Sequence, residues 1–162
     1  GFQNPLMLGT AGYPSPEVLR QALLAAKCEV VTMTLRRESA GAEFFGHEFL
    51  EFLRQLPVRF LPNTTGCRSA KEAVLLAQLA REVFGTHWIK LEITSDPYTL
   101  LPDSLELLRA SAQLLAAGFE VFPYCTDDLS VASQLVRLGC RILMPGASPI
   151  GSGQGIRNPW AL

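Results

Sequence analysis

The sequence predicts an α/β fold in which parallel strands alternate with helices. Short runs rich in β-branched and aromatic residues alternate with longer amphipathic segments, the connections between them are short, and glycine or proline ends most segments. A repeated strand–helix order is typical of parallel strands joined by right-handed crossovers. A (β/α)8 barrel and an open doubly wound sheet both have this order, and the spacing alone does not decide between them.

Three predicted strands in the first part of the chain each lead into a helix. The predicted strands are residues 6–10, 29–35 and 58–61, and the helices are 16–27, an amphipathic segment around 49–53, and 70–84. Ser15 caps the first helix and Pro16 fills its first position, where the missing N–H costs nothing. Ser69 and Glu72 have the spacing of a capping box. Residues 38–46 are predicted to form a loop.

The second part of the chain continues the same pattern. The predicted strands are residues 88–93, 119–125 and 141–144, and the helices are 103–117 and a segment that starts at Asp127-Asp128. Gly118 and Gly139 follow these two helices, as glycine commonly does at a helix C-terminus. In both candidate architectures the C-terminal ends of the strands form the functional face. His87 precedes its strand, so we expect it at the opposite end in a structural role.

Lys90 and Glu92 are the candidate catalytic residues. Alternation along the strand Trp88–Ile93 places these two side chains on one face and the apolar residues on the other. A desolvated lysine loses its proton more readily, and the free amine attacks a ketone or aldehyde to form a Schiff base. An ionised Glu92 opposes that by favouring the ammonium, whereas a protonated Glu92 can shuttle protons. The alternative is a charged pair on a wet strand face, and these residues alone do not decide.

The glycine-rich loop after the sixth predicted strand is a candidate substrate-binding element. Gly151, Ser152 and Gly153 open it, and glycines let backbone N–H groups surround a phosphate. A flexible connection is the alternative; the pattern matches neither a Walker A loop nor a dinucleotide fingerprint. Asn63 and Thr64 either line a pocket or form the turn after the third strand. Arg36-Arg37 and Asp127-Asp128 have plainer interpretations, as a solvated rim pair and as helix caps.

Composition limits the class of protein. The chain has 162 residues, 48% of them hydrophobic and 18% charged, with net charge −1. This is a soluble globular composition without the clustered basic residues of a nucleic-acid-binding surface, and no apolar run predicts a membrane span. Four scattered cysteines predict reduced thiols in a cytoplasmic protein. The two histidines exclude a histidine-rich metal site, and we expect no metal or other cofactor. Neither Cys67 nor Cys125 pairs with a histidine, so neither is a predicted nucleophile.

Four motifs together resemble bacterial thiazole synthase, the enzyme that makes the thiazole phosphate of thiamine. They are residues 61–67, 88–92, 99–103 and 149–153, and the resemblance covers nearly the whole chain. It implies a (β/α)8 barrel and a lysine Schiff base with 1-deoxy-D-xylulose 5-phosphate. It also implies dehydroglycine as a reactant, a ubiquitin-like sulfur-carrier protein whose C-terminal thiocarboxylate donates sulfur, and self-association into a homo-oligomer.

The same resemblance assigns roles to individual residues. Lys90 matches the imine-forming lysine, Glu92 the acidic residue that moves protons, and Gly151 a glycine that contacts the sugar phosphate. Such barrels need ~250 residues, so residues 1–162 are expected to be a single barrel domain that holds the first six strand–helix units. The seventh-strand aspartate and the last two strand-end loops have no match, and we expect this stretch alone to be inactive. Two other functions remain open: a different Schiff-base aldolase of sugar phosphates, and a non-catalytic barrel that binds the carrier.

Overall fold

The computed structural model describes residues 2–35 and 47–162. In these ranges the elements are β1 Met7–Gly9, α1 Pro16–Ala25, β2 Val30–Thr34, α2 His47–Arg54, β3 Arg59–Asn63, α3 Ala70–Phe84, β4 Trp88–Leu91, α4 Ser104–Ala116, β5 Glu120–Cys125, α5 Leu129–Leu138 and β6 Met144–Pro145. The predicted strand–helix alternation is confirmed. The predicted loop 38–46 and the Arg36-Arg37 pair lie outside the described residues.

The chain divides into two compact units, residues 1–61 and 62–162. In the first unit β1 and β2 pair in parallel, with Met7 opposite Val30 and Gly9 opposite Thr32. The Ser15 hydroxyl accepts the Val18 N–H and Pro16 opens α1, which confirms the predicted cap. Helix α1 buries Leu19 and Leu23. Each leucine buried in this way contributes about 1.5–3 kcal/mol of hydrophobic stabilisation. That the chain forms a single barrel domain stays a prediction.

The second unit holds the candidate catalytic strand. β4 and β5 pair in parallel through four residues, from Trp88 opposite Glu120 to Leu91 opposite Pro123, and β5 pairs in parallel with β6. Asn63 at the end of β3 is the register partner of Lys90. Helix α3 buries a row of alanines, and α4 packs against α3, α5 and β5. This register brings the C-terminal ends of β3, β4, β5 and β6 to one edge of the unit.

Helix termini in the second unit follow the predicted signals with one change. Gly85 and Gly139 end α3 and α5 in the left-handed conformation, with φ of 62° and 111°. Ser69 caps α3 by accepting the Glu72 N–H. The Glu72 carboxylate, however, accepts the N–H of Arg68 instead of that of Ser69, so the reciprocal half of the predicted capping box is shifted by one residue.

The predicted strands differ from the structure by one to three residues at their ends, and two of these differences concern the candidate site and the last strand. β4 ends at Leu91, so Glu92 and Ile93 lie beyond it, because the Thr64 side chain replaces the neighbouring backbone as the partner of Glu92. β6 covers Met144–Pro145, later than the predicted 141–144. Arg141 is instead exposed and forms an ion pair with Glu120 at the start of β5. None of the helices within the described ranges is long and apolar enough to cross a membrane.

Candidate active site

Strand β4 carries Lys90 on a partly enclosed face. Ile89 and Leu91 are fully buried, whereas the side chains of Lys90 and Glu92 are 23% and 16% exposed. Trp88 lies on the same face as Lys90, and the centroid of its ring is 5.4 Å from that of Phe122 on β5. The predicted alternation is therefore confirmed, and the pair is not on an open, fully wet strand face.

Glu92 is held by a partner at each carboxylate oxygen. Its Oε1 atom lies 2.5 Å from Nζ of Lys90, and its Oε2 atom accepts a hydrogen bond from the Thr65 hydroxyl. Both partners favour a fixed orientation of the carboxylate toward the amine. The arrangement puts a proton acceptor within direct reach of an amine that must lose a proton before it attacks a carbonyl.

The main chain at Glu92 is fixed by the residues that follow β3. Thr64 is fully buried; its hydroxyl accepts the Glu92 N–H and donates to the Glu92 carbonyl oxygen, both at 2.8 Å. The Thr64 N–H also donates to the Lys90 carbonyl oxygen at 3.1 Å. The Asn63 side-chain oxygen accepts the Thr65 N–H at 3.3 Å, so this side chain stabilises the turn after β3. The turn thus supports both candidate catalytic residues.

A cavity of about 320 Å³ opens at the ends of β5 and β6. It is lined by Leu101, Pro102, Tyr124, Cys125, Thr126, Asp127, Gly146, Ala147, Ser148, Pro149, Arg157 and Asn158. Tyr124 relates this cavity to the ion pair, because burial, and then the negative charge of Glu92, raise the pKa of the Tyr124 phenol above its ordinary value. The phenol therefore stays a neutral hydrogen-bond donor and acceptor over the physiological range.

The glycine loop adjoins this cavity. Gly151 and Gly153 have φ of 76° and 65°, and a Cβ built at either would meet open space. The Arg157 N–H donates to the Ala147 carbonyl at 3.1 Å and so closes the loop at its base. Ser148 and Pro149, just before the loop, line the cavity, whereas Gly151, Ser152 and Gly153 are exposed beside it. Substrate binding by these three residues and by Asn63 stays a prediction.

The structure also locates the other residues considered in the sequence, His87, Asp127, Asp128 and Cys125. His87 immediately precedes β4, where its carbonyl accepts the Glu120 N–H, far along the strand from Glu92. Asp128 caps α5, as predicted, but Asp127 lines the cavity instead of acting as a second cap. Cys125 is buried, and burial raises the pKa of its thiol, which disfavours a nucleophilic thiolate.

The hydroxyl groups of Thr64 and Thr65 were not predicted from the sequence as partners of Glu92. Two threonines within four residues of the end of a predicted strand were a usable signal, because parallel neighbours end at the same edge and a short polar side chain can replace backbone partners there. Arg157 was also missed as a lining residue of the cavity. Its position depends on the course of the glycine loop, which no periodicity indicates.

Comparison with known proteins gives consistent matches along the chain. The family model described as thiazole biosynthesis protein ThiG matches residues 1–162. The thiazole synthase of Bradyrhizobium diazoefficiens is 55% identical over 161 residues, and that of Coxiella burnetii (strain Dugway 5J108-111) is 54% identical over 161 residues. Each alignment covers 99% of this chain, and it covers 62% of the first relative and 61% of the second. The chain therefore spans less than two thirds of the length of these curated relatives.

A solved structure has the same fold. The crystal structure of the Amycolatopsis orientalis BexX/CysO complex matches with a TM-score of 0.82 and 29% sequence identity, over 99% of this chain and 65% of that chain. Together with the six strands in β–α order, this likeness confirms the predicted fold class, a (β/α)8 barrel of which the chain holds the first six strand units.

Proposed function

The chain belongs to the thiazole synthase family, and from that premise we propose that the whole protein forms the thiazole phosphate of thiamine through a Schiff base on Lys90. The proposed substrates are 1-deoxy-D-xylulose 5-phosphate and dehydroglycine. One observation carries the proposal: the Lys90 amine lies 2.5 Å from the Glu92 carboxylate on a partly enclosed face at the end of β4. No cofactor is part of the proposed reaction.

In the proposed first step, Lys90 loses a proton to Glu92 and its free amine attacks the ketone carbon of the sugar phosphate. The adduct then loses water to give the imine. The protonated imine withdraws electrons from the neighbouring carbon, whose C–H becomes acidic. In this proposal Glu92 takes that proton and returns it to the adjacent carbon chain, so that the carbonyl group migrates by one carbon. A sulfur nucleophile then adds at the neighbouring position.

The glycine loop is the proposed anchor for the sugar phosphate. Gly151 and Gly153 are proposed to supply backbone N–H groups, and Ser152 its hydroxyl, because the Ser152 N–H already donates to the Pro149 carbonyl at 3.1 Å. Gly151 has a left-handed backbone that an L side chain would strain. Anchoring the phosphate at one end of the substrate holds its ketone next to the amine and supplies part of the rate enhancement. Asn63, which stabilises the turn after β3, is proposed to line the same site.

The proposed sulfur donor is the C-terminal thiocarboxylate of a small ubiquitin-like carrier protein. The relative of solved structure was crystallised as a BexX/CysO complex, which supports a protein partner for this family. The tail of the carrier would have to approach from the C-terminal ends of the strands, where Lys90 and Glu92 lie. We also propose that the whole protein forms a homo-oligomer and acts in the cytoplasm.

The test is product formation by the full-length protein. Purified enzyme, 1-deoxy-D-xylulose 5-phosphate, dehydroglycine and the carrier thiocarboxylate are combined, and thiazole phosphate is measured by mass spectrometry. We expect product with the wild type and none with Lys90→Ala. Cleavage of a sugar phosphate without thiazole formation would instead favour an aldolase. Carrier binding without any Lys90-dependent product would favour a non-catalytic barrel.

A further inference from the structure

In the turn after β3, the side chain of Thr64 takes the place of a backbone partner in the pairing with the segment that follows Lys90. Backbone pairing between β3 and β4 reaches as far as the Thr64 N–H, which donates to the Lys90 carbonyl. Glu92 lies two residues after Lys90 and just beyond β4, and the Thr64 hydroxyl binds both its N–H and its C=O at 2.8 Å. A single buried hydroxyl thus replaces a backbone residue as the partner of the Glu92 main chain. The direction of Glu92 depends on this replacement.

We propose that Thr64 and Thr65 are positioning residues that hold the Glu92 carboxylate against the Lys90 amine. Thr64 fixes the Glu92 main chain, and the Thr65 hydroxyl binds Oε2 and so leaves Oε1 facing Nζ of Lys90. The Asn63 side chain in turn fixes the Thr65 N–H. Neither threonine has to touch the substrate, because both act through Glu92. The catalytic consequence of this role rests on the proposed function, but the positioning itself can be measured without substrate.

The substrate-free test is competitive acetylation of lysines in the full-length protein at neutral pH. The acetylation rate of Lys90 is compared with that of the exposed Lys71 on α3 in the same sample. Without the two threonine hydroxyls, the carboxylate is no longer fixed 2.5 Å from the Lys90 amine, and the amine is freer to meet the reagent. We expect Thr64→Val and Thr65→Val each to raise the Lys90 to Lys71 ratio about two- to fivefold, the fold-change that corresponds to the loss of one partly exposed ion pair. Thr64→Ser, which keeps the hydroxyl, should restore a ratio near that of the wild type.

The matched control is Thr86→Val. The Thr86 hydroxyl also accepts a backbone N–H of β4, that of Trp88, but at the opposite end of the strand. This variant loses a comparable hydrogen bond without touching Glu92, so its labelling ratio should equal that of the wild type. A wild-type ratio in both folded valine variants would overturn the proposal. If Thr64→Val does not fold, Thr65→Val decides alone, because the Thr65 hydroxyl is less buried and binds only the carboxylate.

Turnover then separates this proposal from the proposed function. We expect Thr64→Val to lower kcat roughly 10- to 100-fold, the cost of a misplaced catalytic group, with little change in KM for the sugar phosphate. Altered labelling in an enzyme whose wild type makes no thiazole phosphate would refute the proposed function and leave the positioning role intact. Thiazole formation by the wild type, with unaltered labelling in the valine variants, would support the proposed function and refute the positioning role.

Discussion

Lys90 and Glu92 are two residues apart, and their charged atoms lie 2.5 Å apart although only Lys90 belongs to strand β4. A strand places residues i and i+2 on the same face, which explains the common direction. The short distance depends on the turn after β3, whose hydroxyl groups fix Glu92 after the strand ends. The proposed catalytic pair is therefore held by one strand together with the turn after the neighbouring strand.

Replacing Glu92 tests its assignment as the proton-transfer group. Glu92→Gln keeps the size of the side chain but removes the charge that takes a proton from Lys90. We expect kcat for thiazole phosphate to fall about 10²- to 10⁴-fold, the usual contribution of general acid–base catalysis. The rate is measured in the full-length protein by product formation. Glu17→Gln, in an exposed ion pair on α1, is the control and should keep the wild-type rate. Equal rates for the two variants would remove Glu92 from the mechanism.

The Tyr124 phenol reports the charge of Glu92. Burial raises its pKa first, and the nearby negative charge of Glu92 raises it further. In Glu92→Gln the second cause is lost, so the Tyr124 pKa should fall relative to the wild type while burial still holds it above the ordinary value of 10.0. Carbon-13 NMR of labelled tyrosine, assigned with Tyr124→Phe, measures this titration. An identical Tyr124 pKa in both proteins would show that Glu92 carries no charge near the ring.

Substitution of Gly151 tests the phosphate-anchoring role of the glycine loop. Gly151→Ala places a side chain on a left-handed backbone, which costs about 1–2 kcal/mol or shifts the loop. We expect KM for the sugar phosphate to rise, since the backbone N–H groups move from the phosphate. Gly85→Ala is the matched control: it has φ of 62° and open space around the new Cβ, but it ends α3. If both variants raise KM equally, the effect is general strain and the loop does not bind phosphate.

Acid should weaken the attachment of α3 to α4. The Ala70 N–H, and then Arg109, lower the pKa of the Glu106 carboxyl below its ordinary value of 4.5. A carboxyl whose pKa is lower in the folded state stabilises the fold fully above its unfolded value, and this stabilisation is lost as the pH falls below about 4.5 and through the folded value. Melting temperatures measured from pH 7 to pH 3 should therefore differ most between wild type and Glu106→Gln at pH 7.

That difference should shrink as the solution is acidified, because the wild-type carboxyl becomes protonated and resembles the amide. Glu82→Gln, on the exposed side of α3, controls for the loss of a surface charge. Its melting temperature should follow that of the wild type from pH 7 to pH 3. A wild-type to Glu106→Gln difference that stays constant down to pH 3 would show that the charge of Glu106 does not stabilise the helix N-terminus.

Local sequence patterns predicted most of the elements and the common direction of Lys90 and Glu92. Period-two alternation placed Lys90 and Glu92 on one face, and Ser15 and Asp128 marked the starts of their helices, because these signals need only neighbours along the chain. The end of β4 at Leu91 was not predictable in this way, since it depends on a side chain 28 residues earlier in the sequence. Prediction of the β6 boundary also failed, where Arg141 pairs with Glu120 on the preceding strand.

The cavity beside Tyr124 was beyond sequence patterns for the same reason. Its walls come from segments near residues 101, 125, 147 and 157, which the strand register brings together. Gly146 shows how close this packing is: a Cβ at that position would lie 3.3 Å from the Tyr124 ring. No local pattern reports the contact, because it joins the ends of β5 and β6 across the sheet.

The Schiff base on Lys90 is tested most directly by borohydride trapping on the full-length protein. The protein is incubated with 1-deoxy-D-xylulose 5-phosphate, and any imine is reduced with borohydride. The protein is then digested, and the peptide masses are measured by mass spectrometry. We predict that the peptide containing Lys90 gains the mass of the reduced sugar phosphate adduct, and that Lys90→Arg gives no adduct at that position. An unmodified Lys90 peptide under conditions of active turnover, or an adduct on Lys27 or Lys71 instead, would contradict this prediction.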